Sequence, residues 1–182
     1  MIRILSVAFV LLLPLAAAAA EDALSPAANA AFLAANAAKP GTISRPSGLQ
    51  YRVLRSGTGK RPAGNDVIRL AYAMRLINGT LVDGTNPALP ATLVTSSVAL
   101  AGLAEALPLM HAGDRWQLAI PANLAFGGGG AMNGVIGPNQ TLVMDLTLVS
   151  VAPPKPGQVM SENPFSVWSN GRESGAALTI RP

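Results

Sequence analysis

Val67-Ile68-Arg69-Leu70-Ala71-Tyr72-Ala73-Met74-Arg75-Leu76 alternates without a break. Ile68, Leu70, Tyr72, Met74 and Leu76 fall on one side, and Arg69, Ala71, Ala73 and Arg75 on the other. Successive side chains of an extended chain point to opposite faces, so this period of two predicts a half-buried antiparallel strand. Asn78-Gly79 follows, and both residues tolerate the positive φ that a tight hairpin demands. Upstream, Leu49, Tyr51 and Val53 read as a first strand. Downstream, Trp116, Leu118 and Ile120 alternate before Pro121. Leu142, Met144, Leu146 and Leu148 then form one face of a last strand, with Val143, Val149 and Val151 partly filling the other. One window is helical: Leu100, Leu103, Ala104 and Leu107 stand at i, i+3, i+4 and i+7, ahead of Pro108. The expected fold class is therefore α+β, an antiparallel sheet curled around one short helix. A parallel βαβ arrangement lacks the helices it needs.

Composition narrows the function before any motif does. The 182 residues suit one domain of roughly 100–150 residues with appendages. Half of the residues are hydrophobic and only 12% are charged, against a typical ~25%, which argues against a chain that coats nucleic acid. The net charge of +4 is spread without clusters, and Arg3 lies in a segment expected to be removed. The basic balance therefore says little about partners. The absence of Cys excludes a disulfide scaffold, a Cys-based zinc site and a thiol nucleophile. A single His argues against a His-based metal site. No metal or cofactor is expected, which leaves shape, apolar surface, backbone dipoles and a few carboxylates.

Four segments are expected along the chain. Residues 1–20 read as an export signal: Arg3, an apolar run from Ile4 to Leu15, then small residues before Glu21-Asp22. The apolar core is short for a membrane span, so the mature protein is expected to be exported and soluble, and periplasmic if the source has two membranes. Residues 21–46 read as an Ala-rich helical arm with a thin apolar stripe of Leu24, Phe32 and Leu33, capped by Ser25-Pro26 and stopped by Lys39-Pro40-Gly41. Residues 47–152 carry the domain, and 153–182 a Pro-rich tail containing Phe165 and Trp168.

Several short motifs invite a chemical reading and have a simpler structural one. Gly127-Gly128-Gly129-Gly130 lacks the Lys-Ser or Lys-Thr and the following helix of a phosphate cradle. Gly57-Thr58-Gly59-Lys60 reads better as a turn. His111, just before Ala112-Gly113, has no motif placing Ser and Asp partners beside it, and reads as a surface residue. Asp83 and Asp145 as an acid–base pair would need the fold to bring them together. Trp116 reads as core.

Taken in order, a longer pattern is far more specific. It runs Ser47-Gly48-Leu49-Gln50-Tyr51; Asn78-Gly79-Thr80 with Asp83; Pro90-Ala91-Thr92; Gly102 ahead of the helix; and Leu109-Met110. It continues through Trp116 to Ile120-Pro121, Asn123-Leu124-Ala125-Phe126-Gly127, Gly134-Val135-Ile136-Gly137-Pro138-Asn139 and Thr141-Leu142. Over residues 47–152 this closely resembles the FKBP-type peptidyl-prolyl cis-trans isomerases, in particular the exported bacterial branch related to macrophage infectivity potentiators. Phe32-Leu33-Ala34-Ala35-Asn36 also looks like the end of that branch's N-terminal helix.

The resemblance implies an apolar box for a proline ring. It carries catalytic roles onto Tyr72, Asp83 and Phe126, the last standing where the family usually has tyrosine, so that a hydroxyl donor is absent. It carries substrate contacts onto Val82 and Leu93, usually phenylalanines, Leu103, commonly the tryptophan of the floor, and Met144, replacing another phenylalanine. Val135 and Ile136 match the apolar pair before the final strand, and Leu100 the residue whose backbone N–H meets the substrate carbonyl. Between Leu93 and Gly102 there is one residue more than the pattern, and between Gly84 and Leu89 one fewer, which removes a clear match for the family's arginine near Asp83. The implied activity is non-covalent isomerisation of prolyl bonds in unfolded exported polypeptides, with no nucleic acid and no membrane as partner. A peptide-binding module or holdase that has lost catalysis is the alternative. Relatives dimerise through a long N-terminal region, so the short arm here implies a monomer, with a weak dimer through the arm as the alternative.

Overall fold

The computed structural model describes residues 22–86 and 88–154. Among them seven strands build one antiparallel sheet: β1 (Thr42–Ser44), β2 (Gln50–Arg55), β3 (Val67–Leu76), β4 (Leu81–Gly84), β5 (Ala91–Val94), β6 (Arg115–Ile120) and β7 (Leu142–Ala152). The order across the sheet is β1-β2-β6-β7-β3-β4, and β5 also pairs with β3. β5 takes the first half of β3 and β4 the second, so two short strands share that edge. The hairpin at Asn78-Gly79 joins β3 to β4, with Gly79 at φ +90°.

β3 behaves as its alternation predicts: Ile68, Leu70, Tyr72, Met74 and Leu76 are all buried, while Arg69 is exposed. The same holds for Trp116, Leu118 and Ile120 on β6, and for Leu142, Met144, Leu146 and Leu148 on β7. The sheet curls because register slips interrupt its ladders between Val53 and Arg55, between Arg69 and Leu70, and between Met74 and Arg75; an extra residue on one strand increases the local twist. Into the hollow packs α2 (Ala101–Ala106), prolonged by a tight turn at Leu107–Leu109, burying Leu103, Ala106 and Leu107. Gly102 permits the contact, since a Cβ there would stand 2.4 Å from Cγ2 of Ile120. Trp116 is core, stacked on Tyr51 with ring centroids 4.4 Å apart.

The N-terminal helix, α1 (Pro26–Ala37), begins as expected, with the Ser25 hydroxyl accepting the Ala28 N–H at 3.1 Å and Pro26 in the first turn. Its fastening differs from the expected apolar stripe. Leu24 packs on the core and Phe32 and Leu33 are half-buried, but the buried residue of the helix is Asn29, 4% exposed. The Asn29 amide donates to the carbonyls of Leu24 and Ser25, and its oxygen accepts the N–H of Thr141 at 2.7 Å. Gln140 donates to the same Leu24 carbonyl at 2.8 Å. Two turns on, Asn36 donates to Gln50, which in turn donates to the Leu33 carbonyl. Polar anchors win because the helix offers almost nothing larger than Ala to bury, while a satisfied buried amide fixes one geometry. β1, which lies within the stretch 21–46 expected to be a helical arm, then pairs with β2. The expected signal at 1–20 and nearly all of the tail, including Phe165 and Trp168, lie outside the described residues.

Replacing Asn29 with Ala strips from the Thr141 N–H, on a residue 1% exposed, the acceptor that Asn29 supplies. The expected cost is about 1–3 kcal/mol in urea unfolding, the penalty for one orphaned buried donor. A midpoint unchanged from the parent would show that α1 is not fastened this way.

Candidate active site

The site begins with the slip in β4. Met74 faces Asp83 and Arg75 faces Leu81, so Val82 is the extra residue between them. In a regular strand Val82 and Asp83 would point to opposite faces; where an extra residue is inserted, consecutive side chains can share one. Val82 is accordingly buried in the core cluster, and Asp83 lies opposite the inward-facing Met74 on the same side. The Tyr72 hydroxyl, also on the inner face of β3, donates to Asp83 Oδ2. Thr85 braces the pair from behind, its hydroxyl accepting the Tyr72 N–H at 3.0 Å and its own N–H bonding the Tyr72 carbonyl at 2.9 Å.

Burial dominates the electrostatics of this pair. Desolvation raises the pKa of Tyr72 above the tyrosine range, and the bond to Asp83 and the carboxylate's charge raise it further. Desolvation also raises Asp83, outweighing the Tyr72 hydroxyl and the Gly84 N–H, which favour the charged form. Tyr72 is thus a neutral phenol at physiological pH. Its proton is committed to Asp83.

Around the pair, Val82, Leu93, Leu100, Leu103, Ile136 and Met144 join Tyr72 in one apolar cluster, and Phe126 packs against it. Leu103 and Met144 are 0% exposed, so in this conformation they back the wall and do not touch its open surface. Val135 is 52% exposed and stands at the rim, unlike its neighbour Ile136. Leu100 caps α2 with extended backbone at φ −78° and ψ 106°. Its N–H therefore precedes the helical ladder.

The other motifs resolve into structure. Asp145 sits opposite Ala73 and Asp83 opposite Met74, which puts the two carboxylates on opposite faces of the sheet and ends any acid–base pairing. His111 Nε2 accepts from Arg61 Nε at 2.9 Å. Gly57 and Gly59 pack their N–H groups against Asp114 and the Ala112 carbonyl. The glycines at 127–129 form a tight turn leading from Phe126 toward the Ala131–Ile136 bridge. Sequence reasoning passed over Thr85 and Asn29. Thr85 carries no sequence signal, but Asn29 and Asn36, seven residues apart in an Ala-rich helix, share a face and could have been read as anchors.

The arrangement brings a neutral phenol and a carboxylate together beside an apolar cluster. Residues 59–149 match the family of FKBP-type peptidyl-prolyl cis-trans isomerases, and residues 15–53 match the domain amino terminal to it. The chain belongs to this FKBP-type family. It is 46% identical over 122 residues to the outer membrane protein MIP of Legionella longbeachae, covering 66% of this chain and 52% of that one. It is 45% identical over 122 residues to the peptidyl-prolyl cis-trans isomerase Mip of Coxiella burnetii, with the same 66% and 52% coverage. It therefore spans about half the length of these relatives. Among solved structures, a peptidyl-prolyl cis-trans isomerase from Pseudomonas syringae superposes with a TM-score of 0.64 at 32% identity, covering 72% of this chain and 95% of that one.

Tyr72 is expected to keep its proton for as long as the fold holds. The 295 nm difference between the parent and Tyr72→Phe should show no phenolate step at the ordinary tyrosine value of 10.0. The missing tyrosinate should emerge only with alkaline unfolding. The sign follows from linkage: the unfolded chain releases this proton first, so stability falls as pH climbs past about 10. A step at ordinary pH in the folded protein would mean that the hydroxyl is not held against Asp83.

Proposed function

We propose that the chain is a peptidyl-prolyl cis-trans isomerase that speeds proline-limited folding of exported polypeptides as a periplasmic monomer. The observation that carries this is the neutral Tyr72 phenol bonded to Asp83 beside an apolar wall. Amide resonance holds the bond before proline behind a barrier of about 18–20 kcal/mol, and it places charge on the carbonyl oxygen. The twisted transition state has less of that charge, so a poorly solvating wall disfavours the planar amide more than the twisted one. The Leu100 N–H is suited to hold the flanking peptide, with Ile136, Val82 and Phe126 enclosing the ring. No covalent bond to the protein is made at any step. Aliphatic side chains where the family has aromatic rings forfeit contacts worth about 0.5–1.5 kcal/mol each. Activity should therefore be modest and macrolide binding weaker still.

A second reading, a holdase without catalysis, draws on the exposed Leu81, Leu89 and Val135, which offer apolar surface to an extended chain. Refolding separates the two. Substoichiometric protein should accelerate the slow, proline-limited phase of a model protein's refolding. Suppressed aggregation with that phase unchanged would establish the holdase instead.

Asp83→Ala should lower kcat/KM in a peptide isomerisation assay by roughly tenfold, the scale of one lost charge-assisted bond. An unaltered value would remove Asp83 from the site.

A further inference from the structure

The reverse face of the sheet holds a groove of about 400 Å³, to whose lining Tyr72 of the site above also contributes. Its floor is Ala71 and Ala73, whose side chains leave a trough, and its rim on one side is Thr85. At the other side stand Arg55 and Arg115, which face each other directly across β2 and β6. Like charges placed opposite one another on antiparallel strands repel and destabilise the pair. Among the described residues Arg115 forms no ion pair, and Arg55 bonds through Nε to the Gly113 carbonyl. The carboxylate lining the groove, Asp145, accepts from the neutral Gln117 amide at 3.1 Å. A paired positive end beside an acceptor suits a ligand that carries an anion next to a hydrogen-bond donor, over a short apolar floor.

The groove also lies within reach of the Tyr72–Asp83 site. β4 is the edge of the sheet, and Thr85 on the groove rim follows Asp83 by two residues. A chain leaving the site past Asp83 must round only that edge. Crossing the sheet takes ~10 Å and reaching β6 takes three strand spacings of ~4.8 Å. At ~3.3–3.6 Å per extended residue this amounts to roughly seven residues.

We propose that this groove is a second binding site for the client polypeptide, taking an acidic residue about seven positions from the proline, its carboxylate on Arg55 and Arg115. The site rests on the isomerase reading for its client and gives the protein a preference that the apolar wall cannot supply. Extended prolyl substrates with a Glu at that distance would be selected over neutral ones.

The test uses two fluorescein-labelled peptides that differ only in Glu or Gln at about seven residues from one Ala-Pro, with binding read by anisotropy at low and high salt. The Glu peptide should bind the parent protein about three- to tenfold tighter at low salt, with the difference screened at high salt. Arg55→Gln with Arg115→Gln should abolish that preference and leave isomerisation of the Gln peptide unchanged. Arg69→Gln, an exposed change outside the groove, should retain it. Equal affinities for the two peptides, a preference surviving the double substitution, or equal loss in Arg69→Gln overturns the proposal. Failure of the parent to isomerise the Gln peptide is a separate result, which overturns the enzyme reading and leaves the charge preference to stand or fall by binding. Because the double substitution removes a repulsion, thermal unfolding should confirm that it folds as well as the parent.

Discussion

The constraint on which this molecule depends is the pairing of β3 with β7, which runs from Val67 opposite Ala152 to Leu76 opposite Leu142. Because strand side chains alternate, this one ladder decides which faces of both strands enter the core. Tyr72 and Met144 are inward for that reason, and Asp145 is outward for the same reason. The chemistry then turns on a departure from the rule. A single additional residue in β4 lets Val82 and Asp83 share the inner side, and without it the phenol would have no carboxylate beside it.

What could be read beforehand follows from the same physics. Period-two runs at β3, β6 and β7 are strong signals because burial on one face forces them, and they were legible at once. Tyr72 and Asp83 could be named from the motif order, but their contact could not, because a register slip leaves no compositional mark. Val135 and Ile136 look alike in sequence yet one is exposed and the other buried, since the turn geometry of 130–136 decides which of them faces inward. The α1 contact was misjudged in kind: apolar periodicity is the usual guide to docking, and here two asparagines carry it.

That amide clasp ties distant parts of the chain together. Asn29 bonds Thr141 and Gln140 bonds Leu24, so the helix is fastened where the loop bearing Ile136 returns to β7. Asn36 and Gln50 repeat the device at the start of β2. The helix thus ties the start of β2 to the turn that leads into β7. Its bonds are local and geometrically demanding, which favours one arrangement over many similar ones.

The perimeter of the sheet has a consequence of its own. β1 contributes three residues at one border, and β4 and β5 four each at the other. Long, flat, unpaired borders template the addition of foreign strands and seed fibrils. On the proposed function, the protein meets such strands constantly. With its borders broken into pieces too short to zip up with them, the fold offers an unfolded chain little edge on which to seed aggregation.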